Sequence, residues 1–256
     1  MYESLGAIDV QLGTSPAATA GGGFFSSAPE RGDDGTGWFD DGLAVDVAAL
    51  VDGETLDGAA AAVIQSLPVA SAASNLSEAA VQVRGVDVIA GDGLAMPEGL
   101  AALEPGQVLA NASLARELDV SPGDTLLLVK GMPSPVDVAG VVPDGELSGA
   151  GPAVIAPLAW AQSFFGQDGQ INALLVSNAG DAEAGAALTA DAVTLLESVA
   201  APAGLVVSPV KAGGLDAAAE GAEFITTLFI TFGTFSIFAG VLLIFLIFTV
   251  LAAERK

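Results

Sequence analysis

Phe235-Ser-Ile-Phe-Ala-Gly-Val-Leu-Leu-Ile-Phe-Leu-Ile-Phe248 is the densest part of a run, Phe224 to Ala253, that carries no charged side chain. The run is thirty residues long, well above the roughly 20 that cross a bilayer as a helix. A helix buried in a soluble core rarely stays apolar for so long. Thr226, Thr227, Thr231 and Thr234 dilute its front. The helix is therefore expected to begin outside the hydrocarbon, with the span itself at about 230–253. Gly233, Ser236 and Gly240 fall at i, i+3 and i+7 and share one helix face. Phe235, Phe238, Leu242 and Phe245 cluster away from it. Small residues let a second helix approach closely, although membrane helices also tolerate glycine without such a partner.

Arg255 and Lys256 come directly after the span, preceded by Glu254. Positive residues next to a span favour the cytoplasmic side, so residues 1 to about 225 are expected outside the cell. Export of so long a leading domain needs a signal or an earlier span. Met1-Tyr-Glu-Ser-Leu-Gly-Ala-Ile-Asp-Val10 has neither a charged n-region nor an apolar h-region. This leaves two arrangements: an upstream helix absent from this sequence, or a tail anchor with a cytoplasmic domain. The first is the expectation adopted.

The 256 residues carry 31 acidic and 7 basic side chains, a net charge of -24. No basic patch meets phosphates, which argues against nucleic-acid binding. The carboxylates are scattered through apolar patterning, as at Asp46, Asp52, Glu54 and Asp57, rather than gathered in a tail. Lysine occurs only at 130, 211 and 256. Scattered acid, little lysine and much alanine resemble proteins of salt-loving archaea, where salt screens self-repulsion and carboxylates hold water. Hydrophobic residues make up 52%, enough to bury a core. Histidine and cysteine are absent, which removes disulfides, Cys/His zinc sites, thiol nucleophiles and imidazole bases.

Ahead of the span the expected organisation is an N-terminal strand and Gly-rich mobile loop over 1–40, an α+β domain over 41–212, and a stalk with the span over 213–256. Residues 13–37, with Gly21-Gly-Gly23 and Arg31-Gly-Asp33, read as loop. They lack the lysine and the strand-to-helix setting of a phosphate-binding loop. Leu43–Leu50 reads as a strand. Glu54–Ser66, rich in alanine, reads as a helix capped by Asp52 and ended by Pro68. Strands are expected at Val69–Asn75, Ala79–Val86, Gln107–Ala110, Thr125–Lys130, Val136–Val142, Ala153–Ala156, Ile171–Ser177 and Leu205–Val210. Helices are expected at Ser113–Leu118, from Pro157 to about Phe165, from Asp181 to about Ala200, and from Asp216 into the span. Ser121-Pro-Gly-Asp124 suits a type II turn. The class is α+β with a mixed or antiparallel sheet, followed by one long transmembrane helix.

No residue set for catalysis, cofactor or metal stands out. Asp33/Asp34 and Asp40/Asp41 are paired carboxylates in glycine-rich loops, where solvated charge is the default and calcium a minority reading. Asn75-Leu-Ser77 and Asn111-Ala-Ser113 match the glycosylation sequon. For Asn111, capping of the following helix is the favoured reading.

Several stretches together resemble one family. Val108-Leu-Ala-Asn-Ala-Ser-Leu-Ala-Arg-Glu-Leu-Asp-Val-Ser-Pro-Gly-Asp-Thr-Leu126 resembles a helix, Gly-Asp, strand stretch in the extracytoplasmic core domain of MacB/FtsX-type ABC transporter permeases. Val136–Val142 is similar to the family's next strand, Ala153–Phe165 to its strand-Pro-helix stretch, and Ile171–Val176 to the strand after that. Leu246–Lys256 resembles the second membrane helix entering the cytoplasmic loop. The resemblance covers roughly residues 80–256, and the first forty match poorly. It implies a helix before the core domain and two after the second helix. It also implies a homodimer of permease subunits in membrane lipid and a cytoplasmic ABC ATPase that binds the ATP. The chain itself is then no enzyme, and transmits ATPase-driven motion to the outer domain. The alternative is a single-span surface protein that binds or supports others.

Overall fold

Gly58, which has no side chain, and Ala59 to Ala62, whose side chains are a single methyl, are buried and paired with strands on both sides, which puts them in the interior of the sheet. The computed structural model describes residues 7–15 and 37–254. Its described elements are β1 (Val10–Gly13), β2 (Phe39–Asp40), α1 (Leu43–Ala48), β3 (Leu56–Ser71), β4 (Ser77–Gly91), β5 (Gln107–Asn111), α2 (Ala112–Leu118), β6 (Thr125–Lys130), β7 (Met132–Val142), β8 (Ala153–Pro157), α3 (Leu158–Phe165), β9 (Gln170–Ile171), β10 (Ala173–Asn178), α4 (Ala182–Ala200), β11 (Val206–Ser208) and α5 (Val210–Glu254).

The helix expected over Glu54–Ser66 is the first half of β3. Alanine favours helix in isolation, but here the long-range pairing wins. β3 is held by β10 on one side and β4 on the other. Ala59, Ala61 and Val63 face one core, and Ala60 and Ala62 face another. Pro68, expected to end a helix, sits where the β3–β4 register shifts between Leu67 and Val69. Proline lacks the N–H that a regular ladder needs there. Asp52 does cap, but it caps a turn: its Oδ1 accepts from the amides of Glu54 and Thr55, each at 2.8 Å. Leu43–Leu50 is the second correction, since α1 occupies it. The burial of Ala44 and Val47 follows the i, i+3 spacing of a helix, while Val45 is exposed.

The strand order is β11-β1-β10-β3-β4-β8-β5-β7-β6, and the far end of β3 also pairs with β6. That extra pairing, Val69 to Ser71 against Leu126 to Leu128, closes β3, β4, β8, β5, β7 and β6 into a ring. The ring is filled by Val81, Val83, Val108, Val138 and Val154, with Leu114 and Leu118 of α2. β4–β8 and β5–β7 are parallel and the other pairs antiparallel, so the sheet is mixed as expected. The open part, β11-β1-β10-β3, carries α1 and α4 over Val10, Leu12, Leu174 and Val176, with Leu196 of α4 in the same core. A Cβ on Gly85 would overlap Ala161, so the glycine is what lets α3 lie directly on β4.

Most elements from Gln107 onward lie where the sequence puts them. Gly123 has φ 98° and the Asp124 amide donates to the Ser121 carbonyl at 3.1 Å, as the turn requires. The strand expected at Ile171–Ser177 is interrupted at Asn172. That side chain exchanges two hydrogen bonds with the backbone of Ile64, at 2.9 and 2.8 Å, in place of a ladder rung. α5 runs from Val210 to Glu254 without a break.

Candidate functional site

The place where the sheet meets α5 holds a buried ion pair. Asp9 precedes β1, and Lys211 is the second residue of α5. Lys211 Nζ lies 2.7 Å from Asp9 Oδ1, with the side chains 4% and 2% exposed. The Lys211 amide donates to the Asp9 carbonyl at 3.4 Å, and the Asp9 amide to the Val176 carbonyl at 3.0 Å. Asp9 Oδ2 accepts from the Asn178 amide at 2.9 Å, at the end of β10. Asn178 Nδ2 in turn donates to the Gly185 carbonyl at 2.8 Å and to Thr189 Oγ1 at 3.3 Å, both on α4. One chain of contacts thus joins α5, β1, β10 and α4. Separating a desolvated pair leaves two unpaired buried charges, which costs several kcal/mol, so the first turn of α5 is held to the sheet rather than resting on it. β1 and β11 are antiparallel neighbours. Asp9, just ahead of β1, therefore lies beside the base of α5.

Beyond that base, Thr226–Ile247 is a helix apolar and long enough to cross a bilayer, and none of it is buried in the protein. The expected span of about 230–253 overlaps it. Two of the four threonines expected to keep its front out of lipid have their hydroxyls satisfied. Thr231 and Thr234 donate to the carbonyls of Thr227 and Ile230, each at 2.8 Å, which lowers the cost of placing them in hydrocarbon. Gly233, Ser236 and Gly240 lie on this helix, and a Cβ at either glycine would meet nothing within 4 Å. Glu254 ends α5; Arg255 and Lys256 lie outside the described residues, as do Asp33, Asp34 and the glycine run at 21–23.

A second polar cluster lies between β4 and the 143–152 loop. Asn111, fully buried, accepts at Oδ1 from the amides of Leu114 (3.0 Å) and Ala153 (2.9 Å). Its Nδ2 faces the carbonyls of Gly151 (2.7 Å), Ser148 (3.3 Å) and Gly149 (3.4 Å). The expected cap on α2 is therefore present, and it also fastens the loop. Arg84 of β4 sits beneath Gly149 and, among the described residues, has only Gln82 as hydrogen-bond partner, at 2.9 Å. Burial pushes its guanidinium down to about 10. Of the paired carboxylates, Asp40 accepts from the Gly42 amide and Asp41 from Gln162 Nε2, so each serves the fold.

The Asp9–Lys211 pair escaped the sequence reading because its partners are about two hundred residues apart. The one available signal was a lysine in a chain that has three.

A mixed sheet with a partly closed ring is tied at its base to one helix long and apolar enough to cross a membrane. The family model of the MacB-like periplasmic core domain matches residues 6–192, and the chain belongs to that family. Two solved structures are similar. The periplasmic region of MacB from Actinobacillus actinomycetemcomitans shares 14% identity over 82% of this chain and 92% of that one, with a TM-score of 0.46. The extracellular domain of the noncanonic ABC-type transporter YknZ from Gram-positive bacteria shares 15% over 77% and 98%, with a TM-score of 0.44. No curated protein matches.

Proposed function

We propose that this chain is a permease subunit of a MacB/FtsX-type ABC transporter, in which α5 conveys ATPase-driven motion to the outer domain. The observation that carries the proposal is the buried network from Lys211 through Asp9 and Asn178 to α4. A lever works only if its attachment does not slip, and a desolvated ion pair backed by backbone hydrogen bonds resists slipping. Family membership supports the partner kind, a cytoplasmic ABC ATPase that binds and hydrolyses the ATP. Residues 1 to about 225 then lie outside, and Glu254, Arg255 and Lys256 face the cytoplasm beside that partner. The face of Gly233, Ser236 and Gly240 receives a neighbouring membrane helix, and two permease subunits form the working unit. The domain limits 1–40, 41–212 and 213–256 belong to the same proposal.

The absence of cysteine makes a direct test simple. Glu117→Cys places one spin label on the exposed side of α2 in each subunit. Distances between labels are measured in liposomes with the partner ATPase, with ADP and with trapped ATP. The expected result is a nucleotide-dependent distance that is lost in Lys211→Met while ATP hydrolysis continues. A distance indifferent to nucleotide refutes the lever and returns the chain to a static surface module.

A further inference from the structure

We infer that Asn75 is an acceptor for an N-linked glycan, at the end of the domain away from the membrane. The inference rests on the extracytoplasmic placement of the domain. Of the four asparagines, only Asn75 and Asn111 stand in an Asn-X-Ser sequon, and the fold treats them in opposite ways. Asn111 is fully buried, and every polar atom of its amide is engaged. A transferase cannot reach it in the folded domain. Asn75 is exposed in the turn between β3 and β4, at φ 58°. Its backbone amide is tied to the Ser71 carbonyl at 3.2 Å, which fixes the turn and leaves the side-chain amide in solvent. Ser77, the hydroxyl residue of the sequon, is exposed at the first position of β4.

The position also fits. Leu56, at the start of β3, pairs with Asn178, the residue that binds Asp9 beside the base of α5. Asn75 lies past the other end of this 16-residue strand, about 50 Å along the ribbon at the usual rise. A sugar chain there projects away from the bilayer and from the α4 and α5 attachments. It would also cover Leu76, a large apolar side chain 46% exposed.

The donor is a glycan carried on a lipid phosphate, and the catalyst is a membrane glycosyltransferase of the host. Asn75 Nδ2 forms a bond to the anomeric carbon, and the bond from that carbon to the phosphate oxygen breaks. The lipid phosphate leaves with the electron pair, and one amide proton passes to a base of the transferase. No oxidation or reduction occurs.

The test uses the full chain purified from membranes of the cells that carry this gene. Trypsin releases peptide 32–84, in which Asn75 is the only asparagine, and peptide 85–116, in which Asn111 is the only one. Mass spectrometry is expected to find saccharide mass on the first and none on the second. Ser77→Ala and Asn75→Gly, which suits the positive φ, should abolish the addition, whereas Ser77→Thr should keep it. Protease added to intact cells reports the side of the membrane independently. An unmodified 32–84 peptide from a domain that protease removes overturns the inference alone. The same peptide from a protected domain overturns it together with the extracytoplasmic placement. Mass that persists in Ser77→Ala and Asn75→Gly also refutes it.

Discussion

Replacing Lys211 by methionine leaves the Asp9 carboxylate buried with one strong donor, the Asn178 amide. Both charged side chains are at most 4% exposed, so neither regains water when its partner is lost. Removing one member of such a pair costs about 3–5 kcal/mol, against about 0–1 kcal/mol for an exposed pair. Near the midpoint, that loss lowers the melting temperature of a domain this size by roughly 10 °C. The assay is thermal unfolding in detergent, followed by circular dichroism, for Lys211→Met, Asp9→Leu and the double variant. The double variant removes both charges and replaces them by apolar groups of similar volume. It should recover much of the loss, giving a coupling of about 2–3 kcal/mol in the double-mutant cycle. Salt should not erase the difference, because buried pairs are little screened. A Lys211→Met loss below about 1 kcal/mol, or simple additivity in the cycle, refutes the idea of a rigid attachment.

Asn111→Ala removes the α2 cap, the acceptor for the Ala153 amide and the donor to the 143–152 loop. We expect a loss of about 2–4 kcal/mol and new proteolysis within that loop, read by limited digestion. Arg84→Met should hold or raise stability. The guanidinium is displaced from its ordinary 12.5 to about 10 by burial, a penalty of about 3 kcal/mol. Because the folded value is the lower one, that penalty is present throughout neutral pH and is relieved only above about 10. A lower urea midpoint for Arg84→Met at neutral pH would contradict this. Asp52 is held below its ordinary 3.8 chiefly by the Thr55 amide, then by that of Glu54. A lowered carboxylate stabilises above 3.8 and ceases to do so as pH falls through its folded value. Hydrogen-exchange protection of the Thr55 and Glu54 amides should drop over that interval, and unchanged protection would exclude the proposed cause.

The apolar run from Phe224 to Ala253 was sufficient by itself to announce a membrane helix, because length and the absence of charge are local properties. The segment from Gln107 to Ala200 was also largely legible, since its caps, turns and short strands obey local rules. Asn111 caps α2, Gly123 turns the chain, and Asp181 Oδ1 accepts from the Ala184 amide at the start of α4. Other features were decided only when the chain came together. Ala59 to Ala62 has helical propensity, yet its small side chains allow packing on both faces, and β10 and β4 compete successfully for its backbone. The ring closes only because β3 is long enough to reach β6, a pairing no local signal encodes. Asp9 and Lys211 are ordinary charged residues in sequence. Their importance comes from burial and from the 2.7 Å between them, and both are set by β1 lying between β10 and β11. Local rules specify what a segment prefers alone, whereas pairing and desolvation depend on which distant segment it meets.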